Sequence, residues 1–418
     1  MWDNDTFERI SRSIDELEPE MVELQKSLVP LVALSPGSGG EGEKAKADFL
    51  KSMLESWGLE VTEYRAPDKD AKCGYRPSLV ARLKGEKAEP CLWIMTHLDV
   101  VPAGSRELWD TEPFEAVVKD GRIYGRGVED NQQEMVASIF AVKAMLDLGL
   151  KPKTDVCLML VADEETGSKF GADWLLKNHE LCKPGDLVVV PDAGNPEGTM
   201  LEVAEKSILW ARFKVRGGQA HASAPGDGNN AFRAGSTMVV AVDKVLHERF
   251  PAKDELYSPP ESTFEPTKKE ANVPNVNTIP GEDVFWFDCR VMPEYPLDDV
   301  LAAMKETAEQ VAKQFGVTVE LTTGQTVQAP EPTSPDAPVV RMLARAVKDV
   351  LGNEARPAGI GGGTVASFFR RRGIPTVVWG RATGVAHQPN ESCIIAHMTG
   401  SAKVYCHVFG QDPGQGKA

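Results

Sequence analysis

The chain has no Cys-x-x-Cys pair. Its seven cysteines, at positions 73, 91, 157, 182, 289, 393 and 406, keep no regular spacing. That argues against a disulfide framework and suggests a reducing compartment. Cys91, Cys157 and Cys289 sit inside strand-like apolar runs and read as small buried hydrophobes. Long apolar runs are missing too: no segment approaches the ~20 residues that cross a bilayer. The first residues, Met1-Trp2-Asp3-Asn4-Asp5, are acidic where a signal peptide would be basic. Together these absences predict a cytoplasmic protein without a membrane partner. Basic clusters are scarce as well. Lys and Arg number 46 against 62 Asp and Glu, a formal net charge of -16. The one dense basic run, Arg370-Arg371-Arg372, reads as the charged end of a helix. Phosphate binding needs such clusters, so nucleic acid is excluded as a partner. No internal repeat and no low-complexity tract is present.

What is there is an ordinary globular composition, 42% apolar and 26% charged, in 418 residues. That length suits two or three domains, or one domain with a large insert. Near the start, Ile10, Ile14 and Leu17 share one helical face, continued by Met21, Leu24 and Leu28 after Pro19. A second helix is expected to turn Phe49, Met53, Leu54 and Trp57 inward. Strands and helices then alternate: a buried strand at 91–95, a helix at 132–148, a strand at 156–161, a helix at 172–178 and a strand at 187–190. This rhythm predicts an α/β fold, a mostly parallel sheet flanked by helices. From residue 207 the strands at 209–215 and 285–290 alternate with a period of two, beside helices at 231–248 and 297–315. They predict an inserted α+β sandwich with one open sheet face. The α/β pattern returns with a helix at 340–351 and a strand at 375–379. The expected division is therefore 1–206, an insert at 207–326, and 327–418.

Acids and histidines stand where the apolar runs end. His97-Leu98-Asp99 follows the 91–95 strand, Asp163-Glu164-Glu165 follows 156–161, and Asp192 follows 187–190. Ligands in open α/β sheets gather at the carboxyl ends of strands. An aspartate two residues from a ligand histidine can hold its other ring nitrogen. Asp130, in Gly125-Arg126-Gly127-Val128-Glu129-Asp130-Asn131, reads either as a carboxylate bridging two metals or as the cap of the helix that follows. Three adjacent acids after a buried strand repel one another and call for a cation. Neighbouring side chains on an extended chain point opposite ways, so Glu164 and Glu165 can differ in role. His387 lies in Ala386-His387-Gln388-Pro389-Asn390-Glu391, a loop without period. A hydrolase using two zinc ions needs about this set.

In that combination and order, with Gly361-Gly362-Gly363-Thr364 between, the chain resembles the co-catalytic zinc amidohydrolases: acetylornithine deacetylase, succinyl-diaminopimelate desuccinylase, glutamate carboxypeptidase and carnosinase-like dipeptidases. The resemblance covers nearly the whole chain. It implies two Zn2+ per chain, replaceable by Co2+ or Mn2+, with His97 and Asp192 on one, Glu165 and His387 on the other, and Asp130 between them. It implies a cis Asp130–Asn131 peptide, Asp99 orienting His97, and Glu164 as general base to a metal-activated water. The insert would be a lid that forms a homodimer. In it His221 would stabilise the oxyanion, and Asn277 and Arg290 would grip substrate, Arg290 by a two-pronged carboxylate pair. Backbone N–H groups of Gly361, Gly362, Gly363 and Thr364 would cradle a carboxylate. The biosynthetic deacylases commonly continue Gly-Gly-Thr with Ser-Asp, whereas this chain continues Val365-Ala366-Ser367-Phe368; Arg381 is the residue expected to compensate. The implied activity is cleavage of the linear amide of an N-acyl amino acid, as deacetylase or desuccinylase. A dipeptidase or carboxypeptidase is the alternative, and a metal-free binding protein the remote one. His179, His247, His397 and His407 read as structural or exposed.

Overall fold

The computed structural model describes residues 1–414. The chain divides into two compact units. One comprises Met1–Val203, Thr333–Ala358 and the chain from Phe368 onward; the other comprises Ala204–Pro332 and Gly359–Ser367.

The first unit is built on an eight-stranded sheet. Its strands run in the order Glu60–Pro67, Tyr75–Leu83, Thr154–Val161, Lys87–His97, Leu187–Val190, Thr376–Val378, Met200–Glu205, Arg356–Ile360. The middle four are parallel to one another. The flanks are antiparallel, so the sheet is mixed around a parallel centre. Thr154–Val161 and Leu187–Val190 are buried along their whole length. That explains why they read as unbroken apolar runs: helices cover both faces of a parallel sheet, leaving no solvent side to alternate with. Register brings the ends together. His97 pairs with Val161, and Val378 with Val190. The chain therefore leaves three parallel strands at one edge, at 97, 161 and 190, and a fourth at 378.

The helix Asn4–Leu28 is one piece, with Pro19 inside it and Asp3 capping its start through Thr6 N–H. Its buried stripe is Ile10, Ile14, Leu17, Met21, Leu24 and Leu28, the face read from the spacing. The helix Lys44–Ser56 departs from expectation. Lys46, Ala47, Leu50 and Leu54 face inward, and Phe49 is exposed. The reason is Lys46: its stem is buried and its ammonium donates to the Leu98 carbonyl (2.8 Å), so a charged residue joins the inner face. The helix Gln133–Asp147 is buried on nearly every side. A C-terminal helix, Ile395–Phe409, absent from the sequence reading, packs against it. That helix buries His397 and His407.

The second unit is an antiparallel sheet ordered Thr263–Lys269, Glu282–Val291, Ser207–Arg216, Thr318–Val327. The helices Ala231–Arg249 and Leu297–Phe315 pack with it around a core that includes Leu209, Phe213, Phe285 and Met304. Phe213 and Phe285 stack with centroids 4.9 Å apart. The alternate residues Trp210, Arg212 and Trp286 lie on the opposite, solvent-facing side of the sheet. This is the inserted α+β sandwich. The strand Thr263–Lys269 lies between the predicted helix at 231–248 and the predicted strand at 285–290, where no element was expected. All seven cysteines are unpaired. No helix among the described residues is long and apolar enough to cross a membrane.

Candidate metal centre

His97 ends its strand almost wholly buried. Its Nδ1 lies 3.0 Å from the backbone carbonyl of Asp99, which can only accept, so Nδ1 donates. In the neutral ring Nε2 is then a lone pair. It faces two carboxylate oxygens, Asp130 Oδ1 at 2.9 Å and Asp192 Oδ1 at 3.2 Å. Asp130 turns its other oxygen, Oδ2, to His387 Nε2 at 3.0 Å. His387 Nε2 also meets Glu165 Oε2 at 3.1 Å. Two groups result, His97–Asp130–Asp192 and Asp130–Glu165–His387, each with donor atoms within 4.8 Å of one another. Asp130 belongs to both.

The donor chemistry fits cations. Each imidazole nitrogen confronts acceptors on two sides with no donor between them, and a cation in the gap satisfies all of them. The electrostatics agree. Burial opposes a charge on His97, yet Asp130 and Asp192 outweigh it and hold its pKa well above the ordinary value. Asp130 and Glu165 push His387 up to about 10. Protons and metal ions compete for these atoms.

The local chain explains the placement. The Asp130–Asn131 peptide is cis. Asp130 is no helix cap: the helix starts at Gln133, with Gln132 before it and no side-chain cap bond. Asn131 ties three segments, accepting from His97 N–H (3.2 Å) and donating to Pro191 O (3.2 Å) and Asp192 Oδ1 (3.1 Å). Gly127, at φ +85°, has no room for a side chain, since a Cβ would lie 2.5 Å from Val100 Cγ1. Gly194 presses on the Gly380 backbone, where a Cβ would sit 1.9 Å from its oxygen, and so seats the Asp192 turn against the chain leading to His387.

The three acids at 163–165 part company. Asp163, at φ +61°, turns away and pairs with buried Arg76 (3.2 Å). Its offsetting cation is thus an arginine, which the sequence reading missed. Glu165 enters the second ligand group and Glu164 enters neither. Burial, then the nearby Asp192 charge, pushes Glu164 well above the usual carboxylate range. Asp99 differs from expectation. It meets His97 through its backbone carbonyl, and its carboxylate stands 3.7 Å from Nδ1. That carboxylate instead accepts the N–H groups of Glu164 and Glu165, both at 3.0 Å, and so shapes their turn.

The expected substrate residues lie in the second unit. His221 is exposed, in a short strand pairing with Thr278–Ile279, and bonds Ser223 Oγ at 2.7 Å. The Asn277 carbonyl accepts Ala222 N–H at 2.8 Å. Arg290 already uses its fork on Asp288, Nε at 2.7 Å and Nη2 at 3.2 Å, with Nη1 on the Gly361 carbonyl. Thr364 N–H and hydroxyl both donate to Glu205, at 3.1 Å. An internal carboxylate therefore holds the end of the Gly361-Gly362-Gly363 run. The helix beyond it, Ala366–Arg370, is only five residues long. Arg370 ends that helix as expected, but it is buried and pairs with Glu202 at 2.8 Å, while Arg371 and Arg372 beyond it are exposed. Arg381 spends its Nε on the Pro196 carbonyl (2.9 Å).

Known proteins carry the same pattern. The profile of Peptidase family M20/M25/M40 matches residues 93–411. An uncharacterized metallohydrolase of Methanococcus maripaludis is 37% identical over 411 residues, covering 93% of this chain and 98% of that protein. The succinyl-diaminopimelate desuccinylase of Nautilia profundicola is 27% identical over 394 residues, covering 93% and 98%. A crystal structure of a Staphylococcus aureus tripeptidase superposes with a TM-score of 0.72 at 21% identity, over 94% of this chain and 97% of that one. With the profile spanning the chain from before His97 to beyond His387, the chain belongs to Peptidase family M20/M25/M40.

Proposed function

We propose that the protein removes the acyl group from a small N-acyl amino acid, in the manner of a deacetylase or desuccinylase, with two Zn2+ per chain. Family membership and two candidate ligand groups make the chain a metal-dependent hydrolase of amide or peptide bonds. The observation that carries the two-ion reading is Asp130, one oxygen toward each histidine. His97 and Asp192 would hold one ion, Glu165 and His387 the other, with Asp130 available to both. Bound cations supply Lewis acidity and lower the pKa of water to roughly 7.

The rest falls to the chain's own residues. Glu164 carries no ligand duty, and its raised proton affinity suits a base near neutral pH. It takes a proton from the attacking water at a carboxylate oxygen. It then delivers that proton to the departing nitrogen. Asp99 fixes the turn that aims Glu164 and Glu165 apart. His221, Asn277 and Arg290 contact substrate, and the insert pairs two chains as a dimer. The desuccinylase relative supports the acyl-amino-acid substrate. A dipeptidase is the second reading.

The test pairs metal analysis with Glu164→Gln. The wild type should hold two zinc ions and hydrolyse one class among N-acetyl, N-succinyl and dipeptide substrates. The variant should keep both ions and lose about 10²–10⁴-fold in kcat. Near-normal turnover in the variant would remove Glu164 from the reaction.

A further inference from the structure

The second ligand group is assembled from two loops far apart in the chain. One carries Asp130; the other carries His387 at φ +62°, a conformation uncommon outside glycine. What holds the second loop in that shape is Glu129, the neighbour of Asp130. Its carboxylate is nearly buried and accepts four bonds from one short stretch: Thr383 N and Oγ1, both 2.5 Å, Val385 N at 2.8 Å and Ala386 N at 3.1 Å. These are donors within four residues of His387. The exchange is reciprocal. Glu391, four residues beyond His387, accepts from Gly127 N, Glu129 N and Asp130 N at 2.9–3.0 Å and from Arg126 at 2.8 Å. Each loop's acid shapes the other loop.

The two acids differ in reach. Glu391 positions Asp130, which both ion sites share. Among the described residues, the Glu129 carboxylate bonds only the His387 loop. His97 and Asp192 take their positions from strand ends and from Asn131, with no bond to Glu129.

We propose that Glu129 is a positioning residue for the second ion alone: by clamping residues 383–386 it sets His387, and so decides whether the centre carries one metal or two. The inference rests on the two-ion reading of the centre. The loop is half-exposed at Thr383, Val385 and Ala386, so water replaces the lost acceptor and a truncated variant keeps its fold.

The experiment is calorimetric titration of Zn2+ into apoprotein for wild type, Glu129→Ala, Glu129→Gln and Thr383→Val. Outer partners of ligand groups are worth about 10–100-fold in metal affinity. Glu129→Ala should therefore weaken the second ion by about that factor and leave the first within about threefold. Glu129→Gln, which keeps one acceptor oxygen, should fall between. Thr383→Val, which deletes a single donor, should weaken the second ion about two- to threefold and serves if the alanine variant misfolds. Equal weakening of both ions, or two wild-type affinities in every variant, would overturn the role given to Glu129. A wild type that takes fewer than two ions would instead overturn the two-ion centre itself, and the inference with it.

Discussion

Asp130 shows how little sequence a binuclear centre needs. One carboxylate, in a loop stiffened by Gly127 and Asn131, meets two imidazoles that arrive from opposite ends of the chain. Glu164 beside it is kept out of both ligand groups. His221 is a different kind of residue: exposed, bonded only locally to Ser223, and supporting no core. His221→Ala should lower kcat at least about tenfold while metal content and apparent Tm stay put. An unchanged rate would make it a surface histidine. Away from the centre, Glu63 accepts from Arg65 at 2.8 Å and Lys51 at 3.2 Å, which lower its pKa from 4.5 to about 2. A depressed carboxylate stabilises the fold above its unfolded pKa, and that stability is lost as pH falls through the folded value. Glu63→Gln should thus cost at most about 1 kcal/mol near neutrality, and the gap to wild type should close between about pH 4.5 and pH 2. Urea denaturation near pH 7 and pH 3 measures it; a gap equally wide at both would refute the pairing.

At the scale of elements, the parallel strands position the site and the helices bury it. Because Thr154–Val161 pairs with Lys87–His97 in register, the residues just past their ends emerge side by side. The helix Lys44–Ser56 tests how faces are chosen. Periodicity of large apolar residues pointed to Phe49, whereas the packed face runs through Lys46, Leu50 and Leu54. Lys46 misleads because burial of its stem and its bond to Leu98 O are tertiary events; burial pulls its pKa down to about 8. Leu50→Ala should cost about 2–5 kcal/mol and Phe49→Ala well under half of that, both read from urea midpoints. Equal costs would restore the face drawn from periodicity.

At the scale of the molecule, charge is the issue. Asp99, Asp130, Glu164, Glu165 and Asp192 crowd one region against two histidines, in a chain of net charge -16. Cations bound there stabilise the native state by mass action. Chelation should lower the apparent Tm by several degrees, and Zn2+ should restore it. Indifference of the melt to chelator would mean that the acids need no metal.

What the sequence determined by itself was local. An apolar run ending in an acid or histidine is a property of a few adjacent residues, so the strands and the positions of His97, Glu165 and Asp192 were legible. The inserted sandwich was legible too, because period-two strands differ from buried ones over a few residues. Tertiary structure alone decided which acid serves which partner: that Asp163 belongs to Arg76, that Asp99 holds the Glu164–Glu165 turn, and that Glu129 and Glu391 clamp each other's loops. Most of these carboxylates sit in ordinary polar stretches, and nothing near them in sequence names a donor up to 265 positions away. A hydrogen bond is fixed by distance in space, and only the folded chain brings those distances within its reach.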